Sequence, residues 1–197
     1  KILGLYEYEV KNYVKSHLSK HNYSHFISIG ASDGLEALRY GKLLKIDNIY
    51  LADTNINQYI RTWKRLFYGF NLVCLGQVES FDDFPVLSQI NSGRKLVIVD
   101  IEGFEADFLI ASKNRLKDTE IILEYHTSSI HDLEEFITLR GFKILGFISI
   151  ISEFYKDLKL LTWAVSKAPD VNIKEMSRLL SETRRHSVCW LHIAPSG

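Results

Sequence analysis

The feature that most constrains this chain is a repeated alternation of short apolar runs with amphipathic stretches of helical length. The runs are "SHFISIG" (24–30), "NIYLAD" (48–53), "NLVCLG" (71–76), "KLVIVDI" (95–101) and "TEIILEY" (119–125). Between them lie "GLEALRYGKLLK" (34–45), "NQYIRTWKRLFYG" (57–69), a short helix around 81–90, and "GFEADFLIAS" (103–112). "IHDLEEFITLRG" (130–141) follows, with Gly141 as its expected C-cap. Strands that alternate with helices predict an α/β fold with a mostly parallel sheet and helices on both faces. Runs this rich in Ile, Val and Leu suit strands covered on both sides. "FKILGFISII" (142–151) and "LKLLTWAVS" (158–166) have no helix between them and read as an antiparallel pair ending the sheet.

The ends are less regular. Residues 1–22 read as an amphipathic helix packed on the core, and 170–197 as a C-terminal extension without an assigned role. That extension holds a helix at about 172–185 and an irregular or strand-like tail. A length of 197 residues suits one domain with a single core, covering 1–197. The 24 Lys and Arg equal the 24 Asp and Glu, so no global field draws the chain to nucleic acid or an anionic membrane. Cys74 and Cys189 make neither a disulfide framework nor a zinc pair, and Cys74, inside an apolar run, reads as a core thiol. No apolar segment reaches the roughly 18 residues of a membrane span, and charges interrupt the start too often for a signal peptide. The expected setting is reducing and cytoplasmic.

Sheets of this kind bind ligands beyond the carboxyl ends of their strands, so the residues that close each run matter most. The first ends in Gly30-Ala31-Ser32-Asp33-Gly34. Glycines permit a tight turn and close approach to a ligand, and the following helix presents its electropositive end. Gly-bounded turns are also common without a ligand. The six-residue dinucleotide fingerprint G-x-G-x-x-G is absent, which argues against a nicotinamide-dependent oxidoreductase. The G-x-x-x-G form is closer to the first motif of S-adenosylmethionine-dependent methyltransferases. Asp53 closes the second run, where a carboxylate can accept both ribose hydroxyls of an adenosine cofactor. Its alternative role is to cap the next helix. After the third run, Gln77, Val78, Glu79 and Ser80 are candidates for the base, although Glu79 or Asp82 equally suits a helix cap. The aromatic and basic stretch "TWKRLFYGF" reads as a core-facing stripe with a solvated face rather than a nucleic-acid platform.

The fourth run is followed at once by Asp100, Glu102 and Glu105, in "LVIVDIEGFEADFL". With "GASDG", "LADTN" and "ILEYH" in the same order, this "D-I-E-G-F-E" segment resembles the signature of the FkbM-type family of class I S-adenosylmethionine-dependent methyltransferases. The resemblance covers about residues 4–165, with "GLYEYEV" similar to the family's entry segment. It implies a seven-stranded Rossmann-like sheet in the order 3-2-1-4-5-7-6 and methyl transfer, usually to a hydroxyl of a sugar or natural product. It also implies that Gly30, Ala31, Ser32, Asp33 and Gly34 hold the methionine part of S-adenosylmethionine, with Asp33 toward its ammonium group. Asp53 would take the ribose, and Asp100 with Glu102 the floor of the reaction site. Gln77 and Val78 complete the expected cofactor set. Two positions depart from the family pattern: Asp53-Thr54 replaces Glu-Pro, and Ser32 replaces Asn.

His126, closing the fifth run, is the candidate base for an acceptor hydroxyl, with Asp100 or Glu102 assisting. A histidine bonded to loop backbone is the alternative. Asp100, Glu102, Glu124 and His126 are also candidate ligands for magnesium, although no metal is assigned. The expected activity is O-methylation of a small-molecule or glycan acceptor, without nucleic-acid or membrane partners. The alternative is a methyltransferase-like binding or scaffold module without turnover.

Overall fold

The computed structural model describes residues 8–66, 68–80, 90, 93–101, 103–112, 118–126, 137, 141–148 and 188–196. Seven strands form one sheet: β1 (His25–Ile29), β2 (Asn48–Ala52), β3 (Asn71–Gly76), β4 (Lys95–Val99), β5 (Thr119–His126), β6 (Phe142–Ile148) and β7 (Val188–Pro195). Their order is β3-β2-β1-β4-β5-β7-β6, the order implied by the family resemblance. The first five strands are parallel to their neighbours, while β7 is antiparallel to both β5 and β6.

Among the described residues four helices flank the sheet: α1 (Tyr8–Tyr13), α2 (Leu35–Leu44), α3 (Ile60–Leu66) and α4 (Glu105–Ser112). A π-helical turn, Val14–Leu18, extends α1, and a 3-10 turn, Ile56–Gln58, precedes α3. Alternate side chains of each strand enter opposite layers. Phe26, Leu96, Ile98 and Ile122 pack with Val10, Val14 and Leu18 of the N-terminal segment and with Leu38 and Leu44 of α2. Ile27, Ile29, Val97, Val99 and Ile121 face the other layer with Phe108 and Leu109 of α4.

The end of the sheet differs from the sequence reading. Among the described residues the antiparallel partner of β6 is 188–195, which inserts between β5 and β6. The strand-like tail of the C-terminal extension is therefore an interior strand, and Trp190, Leu191 and Ile193 are fully buried. Stretch 158–166 lies outside the described residues, as do the expected helices at 81–89 and 172–185 and most of 130–140.

The amino ends of the strands enclose a polar cluster. Glu120 of β5 accepts hydrogen bonds from Tyr23 Oη (2.5 Å), from Arg94 and from His192 Nε2 (3.0 Å), and His192 Nδ1 meets Tyr13 Oη at 3.0 Å. Burial alone would raise the Glu120 pKa, but these donors and the Arg94 charge outweigh it and hold the carboxyl at about 2. With Glu120 ionised, Nε2 of His192 donates, and a neutral ring leaves Nδ1 to accept from Tyr13. Burial, then the Glu120 hydrogen bond, pushes the Tyr23 hydroxyl up. Tyr13, beside Glu120, is also raised, chiefly by burial. This cluster joins α1, the turns before β1 and β4, β5 and the C-terminal strand.

Candidate functional site

The site is assembled by register. Ile29 is paired with Ala52 on one side and with Val99 on the other. The next residue of each chain segment, Gly30, Asp53 and Asp100, therefore emerges at one level from three adjacent strands. Hydrogen bonds fix that level: Gly30 and Ala31 N–H donate to Ala52 O (2.9 and 3.1 Å), and Asp100 N–H donates to Ile29 O (3.0 Å).

Gly30 has no substitute in this arrangement. Its φ is +77°, and a Cβ there would lie 1.6 Å from the carbonyl oxygen of Asp100. Ser32 also sits in the left-handed region, at φ +52°. Asn tolerates that conformation better than most residues, which gives the Ser32 departure a physical consequence. Asp33 works inside the loop. Its Oδ1 accepts from Leu35 N–H (2.9 Å) at the start of α2, and its carbonyl accepts from the Trp63 indole.

Asp53 takes the capping role, one of the two that the sequence left open, and adds a bond to the glycine loop. Its Oδ1 accepts from Asn55 N–H (2.9 Å), a turn cap, and its Oδ2 accepts from Ser32 N–H (2.9 Å), which ties β2 to the glycine loop. Both oxygens are thus oriented by backbone donors and keep further lone pairs for a ligand.

A cavity of ≈ 680 Å³ opens at these strand ends, within the size range of small-molecule sites. Gly30, Ser32, Asp53, Gln77, Val78 and Asp100, six of the residues put forward for the cofactor, line it. Ala31 and Asp33 instead line a smaller adjoining cavity beneath the loop, shared with Gly30, Ser32 and Asp100. Gly34 lines neither and is the N-cap of α2. The sequence reading missed Ile101, Phe104, Asp107 and Phe108 as wall residues. Their signal was the i, i+3, i+4 spacing of Phe104, Asp107 and Phe108, which places them on one side of a helix start. Phe104 is 67% exposed at the rim, whereas Phe108 is buried. The lining includes the carboxylates Asp53, Glu79, Asp100 and Asp107, and no Lys or Arg among the described residues.

Asp100 stands where the two cavities meet, and its buried Oδ1 has no hydrogen-bond partner among the described residues. A buried carboxylate oxygen without a donor is costly unless a ligand or water supplies one. Glu105 is different: it is 1% exposed and accepts from Ile101 N–H (3.1 Å) and Gly103 N–H (3.0 Å). Among its described residues the carboxylate-rich segment after β4 therefore contains two cavity-lining acids, Asp100 and Asp107, and one buried backbone-binding acid, Glu105. Glu102 lies outside the described residues.

His126 ends β5, with its backbone opposite Val188, and its side chain is outside the description. Glu124 is 3% exposed within β5. Among the described residues, no three His, Cys, Asp or Glu side chains come together as a metal cage. Magnesium thus has no site among them, and two of its four candidate ligands, Glu102 and the His126 side chain, are not described. Cys74 is half-buried, and burial raises its thiol pKa. No helix among the described residues is long and apolar enough to cross a membrane.

No protein-family model matches the chain, and a search of curated proteins finds no match. Solved structures do match. A ribosomal protein L11 methylase from Lactobacillus delbrueckii subsp. bulgaricus aligns with a TM-score of 0.55 at 10% identity, over 96% of this chain and 77% of that one. A precorrin-6y C5,15-methyltransferase from Geobacter metallireducens aligns at 0.53 and 14% identity, over 96% and 88%. A candidate tRNA methyltransferase from Streptococcus pneumoniae, solved with S-adenosyl-L-methionine, aligns at 0.58 and 9% identity, over 95% and 72%. Identities this low speak to architecture, and with the strand order they establish that this chain has the fold of the class I S-adenosylmethionine-dependent methyltransferases.

Proposed function

We propose that the chain is an S-adenosylmethionine-dependent methyltransferase acting on a hydroxyl oxygen of a glycan or natural-product small molecule. The observation that carries this reading is the placement of Gly30, Asp53 and Asp100 side by side around one cavity at the carboxyl ends of β1, β2 and β4. The donor set fits the cofactor. Asp53 offers oriented carboxylate oxygens to two ribose hydroxyls, and Gln77 and Val78 border the base. The partnerless Oδ1 of Asp100 suits an ammonium donor better than Asp33, whose Oδ1 already caps α2. Four carboxylates without a lining cation suit a sulfonium ligand and oppose the pyrophosphate of a dinucleotide.

The bound cofactor supplies an electrophilic methyl group. The chain's own residues hold the acceptor oxygen in line with it and take up the hydroxyl proton. His126 is the proposed base because β5 adjoins β4 and ends beside the site. The hydroxyl acceptor rests on the FkbM-like D-I-E-G-F-E segment, and the carboxylates Asp53, Glu79, Asp100 and Asp107, with no Lys or Arg lining the cavity among the described residues, disfavour a phosphate-rich nucleic-acid acceptor. A cytoplasmic setting belongs to the same reading.

Calorimetric titration with S-adenosylmethionine, S-adenosylhomocysteine and NAD tests it. Binding of the two sulfur ligands but not NAD is expected, with affinity reduced at least tenfold by Asp53→Ala. His126→Ala should lower turnover on a hydroxylated acceptor while leaving cofactor affinity near wild type. NAD binding, or an Asp53→Ala variant with unchanged affinity, would refute the assignment.

A further inference from the structure

Glu105 spends its charge in an unusual place. It opens α4, is 1% exposed, and is absent from the cavity lining. Its Oε1 accepts from the backbone N–H of Ile101 (3.1 Å) and Gly103 (3.0 Å), and its Oε2 also accepts from Gly103 N–H (3.1 Å). A carboxylate this deeply buried is tolerated because charge-assisted hydrogen bonds and the electropositive helix start both compensate it. Gly103 turns the chain at φ +104°, a conformation that L side chains rarely adopt. The loop between β4 and α4 is thereby pinned at two successive points by one side chain.

What is pinned is the segment that follows Asp100. The Asp100 backbone is fixed on one side by its N–H bond to Ile29 O (3.0 Å). On the other side the fixed point is Ile101, whose N–H belongs to Glu105. The buried Oδ1 of Asp100 has no partner among the described residues to orient it, so the direction of that carboxylate depends on its backbone. Ile101 and Phe104, on either side of the pinned turn, line the cavity.

We infer that Glu105 is a positioning residue, which sets Asp100 and the cavity wall in their binding geometry without touching the ligand. This rests on the cofactor reading above. Two variants of the full chain test it: Glu105→Ala, which removes the clamp, and Glu105→Gln, whose amide oxygen still accepts from both N–H groups. Affinity for S-adenosylhomocysteine is measured calorimetrically well below the unfolding temperature, where a purely global loss of stability leaves Kd unchanged. Hydrogen exchange of the Ile101 and Gly103 amides is followed in parallel.

Glu105→Ala should weaken binding at least tenfold and speed exchange at both amides, whereas Glu105→Gln should stay within about threefold of wild type on both measures. Wild-type affinity in Glu105→Ala would overturn the inference, as would a Glu105→Gln variant as weak as Glu105→Ala. If the wild-type protein itself binds no S-adenosylhomocysteine, the cofactor reading fails. The exchange measurement then decides the clamp alone: faster exchange in Glu105→Ala than in Glu105→Gln sustains it, and equal rates overturn it.

Discussion

The Glu120 cluster makes acid unfolding a sharp test of how the chain ends are held. Glu120→Gln removes the charge but keeps the shape. In the folded protein the carboxyl titrates at about 2, against an ordinary value of 4.5. A depressed carboxylate contributes stability that is fully present above 4.5 and is lost as pH falls from there through about 2. Each tenfold change in proton affinity is ~1.4 kcal/mol, so the whole contribution is about 3 kcal/mol. The Glu120 side chain is only 9% exposed, but that of Arg94 is 44% exposed, so solvent screening makes this figure an upper bound.

The assay is urea unfolding of both proteins from pH 7 to pH 2. At pH 7 Glu120→Gln should be less stable by up to about 3 kcal/mol, since it leaves Arg94 and the buried His192 beside a neutral amide. That corresponds to roughly 6–12 °C in Tm for a chain of this size. Below pH 4.5 the two curves should converge, because the wild-type protein loses a term that the variant lacks. Parallel curves down to pH 2 would refute the reasoning, for they would mean that Glu120 titrates alike in the folded and unfolded chains.

Three further substitutions probe other parts of the frame. Gly30→Ala brings a Cβ to 1.6 Å from Asp100 O at a φ of +77°, so it should cost several kcal/mol, on the order of the largest single-site effects; a urea midpoint within error of wild type would contradict it. Gly146→Ala places its Cβ 2.5 Å from Tyr13 Oη, and Tyr13→Phe removes that oxygen together with its bond to His192. Each should destabilise by about 1–2 kcal/mol, yet the double variant should be more stable than their sum, a coupling that a double-mutant cycle of urea midpoints reads directly.

Much of this was legible in the sequence because it is local. Five apolar runs separated by helical patterns predict β1 to β5, and the residues that close them, Gly30, Asp53 and Asp100, do border one cavity. The last strand was not legible. "VCWLHIAP" is apolar enough for a strand, but its insertion between β5 and β6 is made by tertiary pairing that no periodicity reports. The Glu120 cluster was invisible for the same reason, since Tyr13 meets His192 across 179 positions and His192 meets Glu120 across 72. The acids after β4 were legible as a group but not as individuals. Spacing places Asp100 and Glu105 near one strand end, but only the folded loop decides that one lines the cavity and the other faces backbone N–H groups.

The two polar assemblies occupy opposite ends of the same strands, and register is what relates them. β1 pairs with β2 and with β4 without a slip over all five of its residues. The step from His25 to Ile29 is therefore matched by Asn48 to Ala52 and by Lys95 to Val99, and the three cavity-lining residues follow at one level. A one-residue slip of β4 would turn Leu96 and Ile98 out of their layer and carry Asp100 away from Gly30. Such a slip would also displace Arg94, the residue immediately before β4, from Glu120. The buried alternation of β4 and the Arg94–Glu120 contact thus both oppose the same error, one through the core and one through charge. That is a physical reason for a chain with its candidate site at the carboxyl ends to keep a buried, ion-paired carboxylate at the amino ends.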